Sequence, residues 1–351
     1  MTTLLTGGAG FIGANLAHRL LSAGERVRVL DNLSRPHVER NLDWLRANHG
    51  DVDVVVADVR DEAALRDAMR GVTHVFHFAA QVAVTTSLVD PTHDFDVNAR
   101  GTLNVLEAAR AMSRPPSVLL TSTNKVYGGC TDVTLAREGK RYVPEEKGLR
   151  EAGIDEDRPL EFHSPYGCAK GAADQYALDW ARTFGLSTCV FRMSCIYGPR
   201  QFGNEDQGWV AHFLINASRG EPLTIYGDGL QVRDVLYVDD LVDAMVLARG
   251  AMPTIAGQAF NVGGGPGCAL SLLELVDRIE AMLRRRPHVS FEPWRTADQR
   301  WYTSDVRKIE RTLGWRPRVT VDDGLRRLLA WVGLMGAGFE RARTLSSEAA
   351  Q

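Results

Sequence analysis

The chain has 351 residues, with 41 Lys and Arg against 44 Asp and Glu, for a formal charge of −3. That balance, with no polybasic run, excludes a nucleic-acid surface or a polybasic membrane anchor, and no apolar run reaches the length of a membrane span. The length is enough for one large α/β domain and a smaller appended one.

Leu4-Leu5-Thr6 reads as a strand that runs into Gly7-Gly8-Ala9-Gly10-Phe11-Ile12-Gly13 and then a helix from Ala14. No charged segment or cleavage site precedes the strand, so no signal peptide is expected and the protein is read as cytoplasmic. Gly7, Gly10 and Gly13 supply a tight turn, close backbone approach to a pyrophosphate and a helix N-terminus facing it. Arg26 to Leu30 is the second strand, and Asp31 ends it about 20 residues past the loop, where a carboxylate binds adenosine ribose hydroxyls. Asp31 disfavours a 2′-phosphate, so NAD is expected over NADP, with Arg35 as the residue that weakens that preference.

Val52 to Ala57 reads as a buried strand ending at Asp58-Val59, a place for adenine contacts. A helix over Glu62 to Met69 follows, then a strand from Thr73 to Phe78 running into Ala79-Ala80-Gln81, whose small residues let backbone pass close to a cofactor. Pro91 to Met112 reads as one long helix containing Asn98 and Gly101, and Ser117 to Thr121 as another parallel strand. Strands alternating with helices predict a doubly wound parallel (Rossmann) sheet, with ligands at the carboxyl ends of its strands.

Residues 129 to 163 are polar and without clear period, and are expected to lie over the active-site mouth as a lid or to form a plain surface excursion. Just beyond, Tyr166 and Lys170 stand at i and i+4, one face of a helix, where an ammonium lowers the pKa of a phenol. With the hydroxyls of Thr121-Ser122-Thr123 and a dinucleotide loop, that pair points to hydride chemistry on an alcohol.

In the last third, Arg233 and Arg295 are the cations expected on a substrate diphosphate. Asp239 and Asp240, ahead of the apolar run Leu241 to Leu247, read as an N-cap and first-turn charge rather than an acid/base pair. Residues 336 to 351 lack apolar periodicity and are expected to be a disordered tail. The nine histidines show no metal spacing, and no metal is expected. Five cysteines, Cys130, Cys168, Cys189, Cys195 and Cys268, show no pairing pattern and read as reduced thiols.

The ordered set Gly7 to Gly13, Asp31-Asn32, Phe78-Ala79-Ala80, Asn98, Thr121-Ser122-Thr123, Tyr127-Gly128, Tyr166 with Lys170, and Tyr197-Gly198-Pro199-Arg200 resembles the extended short-chain dehydrogenase/reductases of nucleotide-sugar metabolism. The resemblance covers about residues 1 to 330 and includes Gly227-Asp228-Gly229, Arg233-Asp234 and Asn261-Val262-Gly263. It implies an NAD-binding domain mainly over 1–192, a smaller α/β nucleotide-sugar domain mainly over 193–335, and a tightly held, recycled NAD. It implies Thr123, Tyr166 and Lys170 as the catalytic triad. Cofactor contacts are implied at Gly7, Gly10, Phe11, Ile12, Gly13, Asp31, Asn32, Asp58, Val59, Ala79, Ala80, Gln81, Asn98, Thr121, Tyr166, Lys170 and Ile196. Substrate contacts are implied at Thr123, Asn124, Lys125, Cys195, Arg200, Gln201, Arg233 and Arg295.

Dehydratases of this family place an Asp-Glu pair after the catalytic hydroxyl residue; here Asn124-Lys125 stands there. The expected chemistry is therefore epimerisation by transient oxidation, with a net dehydrogenase or reductase as the alternative. The stretches Ser122 to Gly128, His163 to Tyr176 and Arg192 to Phe213 are similar to a CDP-deoxysugar 2-epimerase subgroup, so a CDP-sugar is the favoured substrate. Cys195 stands where many UDP-sugar 4-epimerases carry Asn; a UDP-sugar 4-epimerase is the other alternative. A non-catalytic NAD-binding regulator would predict a degraded triad, whereas all three residues are present. The helices Pro91 to Met112 and Tyr166 to Phe184 carry Leu103, Leu106, Tyr176, Leu178 and Trp180, and in relatives their counterparts pair across a two-fold axis. A homodimer or tetramer is expected.

Overall fold

The computed structural model describes the backbone of residues 1–348 and the side chains of residues 1–334. The first half alternates strand and helix: β1 (Thr2–Thr6), α1 (Phe11–Ser22), β2 (Arg26–Asp31), α2 (Val38–His49), β3 (Asp53–Val56), α3 (Glu62–Ala68) and β4 (Val72–His77). Then come α4 (Val84–Val89), α5 (Pro91–Phe95), a π-helical turn (Asp96–Arg100), α6 (Gly101–Arg110) and β5 (Ser117–Thr123). A hairpin of β6 (Leu135–Glu138) and β7 (Arg141–Pro144), with α7 (Lys147–Ala152), precedes α8 (Ser164–Phe184) and β8 (Thr188–Met193). Later elements are β9 (Cys195–Tyr197), α9 (Trp209–Arg219), β10 (Leu223–Tyr226), β11 (Val232–Tyr237), α10 (Val238–Ile255) and β12 (Gln258–Val262). The chain ends with β13 (Ala269–Ser271), α11 (Leu272–Leu283), β14 (Val289–Glu292), β15 (Trp301–Tyr302), α12 (Arg307–Leu313) and α13 (Val321–Glu348).

Seven parallel strands form the central sheet in the order β12-β8-β5-β4-β1-β2-β3. This is the doubly wound α/β sheet expected: parallel strands covered by helices on both faces read as continuous apolar runs. Its outermost member β12 comes from the region expected to be mainly substrate-binding, so the chain returns to the first lobe after leaving it. The second lobe has a parallel β10-β14 pair and a small sheet built on β11. Its core joins Phe213, Leu214, Leu223, Ile225, Leu275, Leu325 and Trp331.

Four local expectations change. β3 is an edge strand, with Val56 65% exposed, because it has a neighbour on one side only. The long helix expected over Pro91 to Met112 is interrupted by the π-helical turn, where the Asn98 side chain donates to the Gln81 carbonyl (2.9 Å) and the Thr102 hydroxyl to the Asn98 carbonyl (2.6 Å). Such turns mark places where side chains enter the helical ladder. Asp239 and Asp240 lie in the first turn of α10, but the N-cap is Tyr237. The Asp240 carboxylate instead accepts from the backbone of Arg318 (3.0 Å) and Val319 (2.9 Å). Finally, α13 continues as helix to Glu348 where a disordered tail was expected; residues 349–351 lie outside the described residues.

The 129–163 segment is a strut rather than a lid. Arg141 grips Glu274 with two charge-assisted bonds (2.6 and 2.5 Å), Lys140 pairs with Asp277 (2.6 Å), and Ile154 bridges to Ser304. These contacts tie it to the second lobe, and none of its residues lines the cleft described below.

Between α8 and β8 a buried ion pair sets the position of the long helix. Arg192 meets Asp174 through two 2.9 Å bonds, with side chains 5% and 0% exposed. Arg192 also donates to the Tyr127 hydroxyl (3.1 Å), which donates to Asn261 (2.7 Å) on β12. Removing one partner leaves the other charge buried and unpaired. Asp174→Ala is expected to lower unfolding stability by about 3–5 kcal/mol, read as a lower urea midpoint at unchanged slope.

Candidate active site

A cleft of about 740 Å³ runs along the carboxyl ends of the central strands and between the two lobes. Its first wall is Gly7, Gly10, Phe11, Ile12 and Gly13 after β1, Asp31 and Asn32 after β2, and Asp58 and Val59 after β3. Ala79, Ala80 and Gln81 after β4, Thr121 to Thr123 on β5, and Ser194 to Ile196 after β8 continue it. A Cβ on Gly7 would lie 2.6 Å from the Ala79 nitrogen, and Gly7 holds φ +68°. A Cβ on Gly13 would lie 2.6 Å from the Gly8 Cα. The loop and the β4 end thus form a backbone-walled cradle that side chains would fill, which fits a dinucleotide pyrophosphate. Asp31 is aimed by the backbone N–H of Ala9 (3.0 Å) and Leu33 (2.9 Å). Burial pushes its carboxyl up while those N–H groups and Arg35 act the other way. Arg60 clasps Asp58 with two 2.9 Å bonds and holds that carboxyl well below the usual range.

Tyr166, Lys170 and Thr123 meet at the middle of the cleft. α8 presents the first two on one face because they are one turn apart, and its start is set by Pro165 in the first turn. The Lys170 ammonium donates to the Thr121 carbonyl (2.6 Å). Burial pushes Lys170 down to about 8. It pushes Tyr166 up to about 12, against the hydrogen bond with Thr123 and with the Asp94 carboxylate adding to the rise. The expectation that Lys170 lowers the phenol is therefore not met: the ammonium engages the β5 carbonyl and burial dominates at Tyr166.

The opposite wall holds a charge cluster. Lys125 (3.6 Å) and Arg233 (2.7 Å) both pair with Asp298. Burial disfavours the Asp298 carboxylate, yet the two cations hold its pKa below the usual value. Burial, then Arg233, lowers Lys125. Arg295 lies over the Tyr226 ring (3.8 Å) and donates to the Glu205 carbonyl (2.9 Å), with Asp206 at 3.4 Å. Asn124 donates to Gln299 (3.2 Å). Gln201 also lines the cleft.

Two expected contacts fall outside the cleft lining. Arg200, turned by φ +73° just after Pro199, lays its guanidinium on the Trp44 ring (4.0 Å) while Gln201 faces inward. Asn98 lies under the wall, donating to Gln81 and Asp94, and so reaches the cleft only through them. Residues the sequence reading left out include Arg60, Trp209, Tyr226, Gln231 and the Val82–Thr86 stretch. Tyr226 had a signal in the adjoining Gly227-Asp228-Gly229 and Trp209 in the Arg192 to Phe213 stretch; the others had none, since only the fold brings them to the cleft. Among the described residues, no three His, Cys, Asp or Glu side chains are grouped to hold a metal, and no helix is long and apolar enough to cross a membrane.

A glycine cradle beside a Thr-Tyr-Lys group whose tyrosine and lysine are buried, at the ends of a parallel sheet, defines a dinucleotide-dependent enzyme acting on an alcohol. The chain belongs to the NAD dependent epimerase/dehydratase family, whose model matches residues 3–263. It is 42% identical to the CDP-paratose 2-epimerase of Salmonella typhi over 94% of this chain and 99% of the relative. It superposes on a UDP-glucose 4-epimerase with UDP-glucose from Thermotoga maritima with TM-score 0.82 at 30% identity, covering 95% of this chain and 99% of that one. A Thermus thermophilus UDP-glucose 4-epimerase complex with NAD gives TM-score 0.79 at 32% identity, covering 95% and 99%.

Gly7→Ala places a Cβ against the Ala79 backbone in a left-handed conformation. It is expected to weaken NAD binding on the order of tenfold or more, in line with about 1–2 kcal/mol of strain, in a protein that stays folded. The check is NAD(H) released from the purified variant against wild type.

Proposed function

We propose that this protein inverts C2 of a CDP-activated dideoxyhexose, converting CDP-paratose to CDP-tyvelose or a close relative, by transient oxidation with a retained NAD. The observation that carries this reading is Asn124 and Lys125 beside Thr123 in the cleft. An amide tied to Gln299 and an ammonium tied to Asp298 cannot share the acid and base work of eliminating water. Proton transfer at Tyr166 and hydride transfer remain. The 42% identity to a CDP-paratose 2-epimerase supports the base and the carbon.

Bound NAD supplies the hydride acceptor and returns the same hydride. The glycine loop and Asp31 would hold its adenosine half, and Ala79 to Gln81, Thr121 and Lys170 its nicotinamide half. Thr123 orients the substrate hydroxyl, and Tyr166 takes its proton in oxidation and gives it back in reduction. A phenol with a high pKa favours the return step, and Lys170 supplies positive charge nearby. Lys125, Arg233 and Arg295 receive the diphosphate once their carboxylate partners yield.

The test is turnover of CDP-paratose without added NAD, followed by NMR of the product at C2. No net NADH is expected to accumulate, and Tyr166→Phe is expected to lower kcat on the order of 10²-fold while retaining bound NAD. Stoichiometric NADH release, or turnover of UDP-sugars at C4 alone, would replace this reading.

The same reading places the protein in the cytoplasm as a homodimer or a dimer of dimers. Leu106 and Trp180 pack inward, and Leu103 sits against the same inner cluster. The outer face instead shows Val89 85%, Phe95 51%, Tyr176 42% and Phe184 46% exposed on α4, α5 and α8. A self-complementary contact over this face buries those side chains. Light scattering at micromolar concentration is expected to give at least twice the chain mass, and a monomer mass would refute the assembly.

A further inference from the structure

Asp94, on α5, is completely buried and takes no part in the chemistry derived above. One carboxylate oxygen accepts from the side-chain amides of Gln81 (2.8 Å) and Asn98 (3.0 Å). The other is buried with no hydrogen-bond partner. Gln81 in turn closes a small ring on Ala83, accepting from its nitrogen (2.6 Å) and donating to its carbonyl (2.8 Å). Gln81 and Ala83 to Thr86 line the cleft beside Tyr166. α5 packs on α8, the helix that carries Tyr166 and Lys170. A buried carboxylate with one oxygen unbonded needs a cation near it, and Lys170 is the cation on the facing helix.

We propose that Asp94 is a positioning residue for the reaction: its buried negative charge keeps Lys170 cationic under the catalytic tyrosine, while its hydrogen bonds fix the Gln81 wall of the cofactor cleft. The inference rests on the roles given above to Tyr166 and Lys170 and deepens them. The charged and titratable groups facing Asp94 are few. Lys170 and Tyr166 come from α8, and His93 is its neighbour on α5. α4, which packs on α5, carries no titratable side chain. His77 on β4, close to Lys170, is buried and pushed down to about 3 by burial and then by Lys170, so it is neutral at working pH. Asp174, one turn after Lys170, is committed to Arg192. Burial lowers Lys170, and Asp174 and then Asp94 act against it; Asp174 is neutralised by Arg192, so Asp94 is the carboxylate near Lys170 that carries no arginine partner. Burial raises its own pKa, and the Gln81 and Asn98 amides and then Lys170 act against that rise.

The sign follows from charge. A nearby anion favours the ammonium of Lys170 and disfavours the phenolate of Tyr166, so removing it lowers both pKa values. Asp94→Asn keeps an oxygen for Gln81 and Asn98 while deleting the charge. Wild type and variant are compared as purified holoenzymes by NMR titration with labelled lysine, the Lys170 signal being assigned by its loss in Lys170→Met. The wild-type midpoint is expected near 8. In Asp94→Asn it is expected to fall by about one pH unit, and the acid limb of the kcat profile to move to lower pH by a similar amount. Coincident Lys170 midpoints overturn the proposal, as does a variant that only loses NAD or stability with the midpoint in place. Asp94→Ser, which also removes the charge, serves where the Asn variant does not fold, with the same expected fall and the same overturning result. The titration needs no turnover. A shifted midpoint in an enzyme that leaves every CDP-sugar unchanged keeps this inference and retires the substrate reading; turnover with an unshifted midpoint does the reverse.

Discussion

Two charges withdrawn from water, the Asp174 carboxylate on α8 and the Arg192 guanidinium on β8, hold the helix that carries Tyr166 and Lys170 to the central sheet at one register. A buried pair of this kind contributes little net stability compared with apolar packing, but it tolerates only one geometry. Asp174 is one turn after Lys170 and two after Tyr166, so the geometry it imposes passes along the helix to both. Arg192 extends the same constraint to Tyr127, just past Thr123 in the chain, and through Tyr127 to β12. Thr123, Tyr166 and Lys170 are thus all referred to one buried network, although none belongs to it. A slip of α8 by one residue would separate the pair and swing the phenol out of the cleft together.

The cleft is electrostatically divided. On the first wall, a left-handed glycine and the backbone around it form a cradle with no cation of its own, suited to a ligand that brings its own phosphates. On the second, Lys125, Arg233 and Arg295 are already neutralised by Asp298, Glu205 and Asp206. An anionic ligand on this wall would exchange one set of anions for another rather than meet bare cations, which would limit the gain in affinity and favour selection by geometry. The segment carrying Glu205 and Asp206 also receives the Arg35 side chain at Gln207, from the cofactor side. The two halves of the cleft therefore meet at this segment.

Most of the architecture could be read from spacing. The glycine loop, the acidic strand end at Asp31 and the Tyr166–Lys170 pair are local patterns, each decided by chain geometry over a few residues, and they fell where expected. The errors came from long-range placement. β3 looked buried because its apolar run says nothing about being last in the sheet, and Arg200 looked like a ligand because the left-handed turn that sends it to Trp44 depends on packing against α2. The 129–163 segment has no period because it is shaped by ion pairs to Glu274 and Asp277, over a hundred residues away in sequence. Lys170 was expected to act on the phenol directly. Only coordinates show that its ammonium reaches the Thr121 carbonyl and that burial outweighs the nearby charges.

That last point bears on why the site suits a reaction that must run in both directions. A tyrosine with a strongly depressed pKa would be a good base and a poor acid, trapping the oxidised sugar. Burial sets Tyr166 high, at about 12, and so favours the protonated phenol that the reductive step requires. The oxidative step then needs positive charge close by, which Lys170 provides and which Asp94 keeps in place despite the burial of that ammonium. Burial thus drives opposing shifts on two residues one helical turn apart, raising the phenol and lowering the ammonium, each opposed by a polar neighbour.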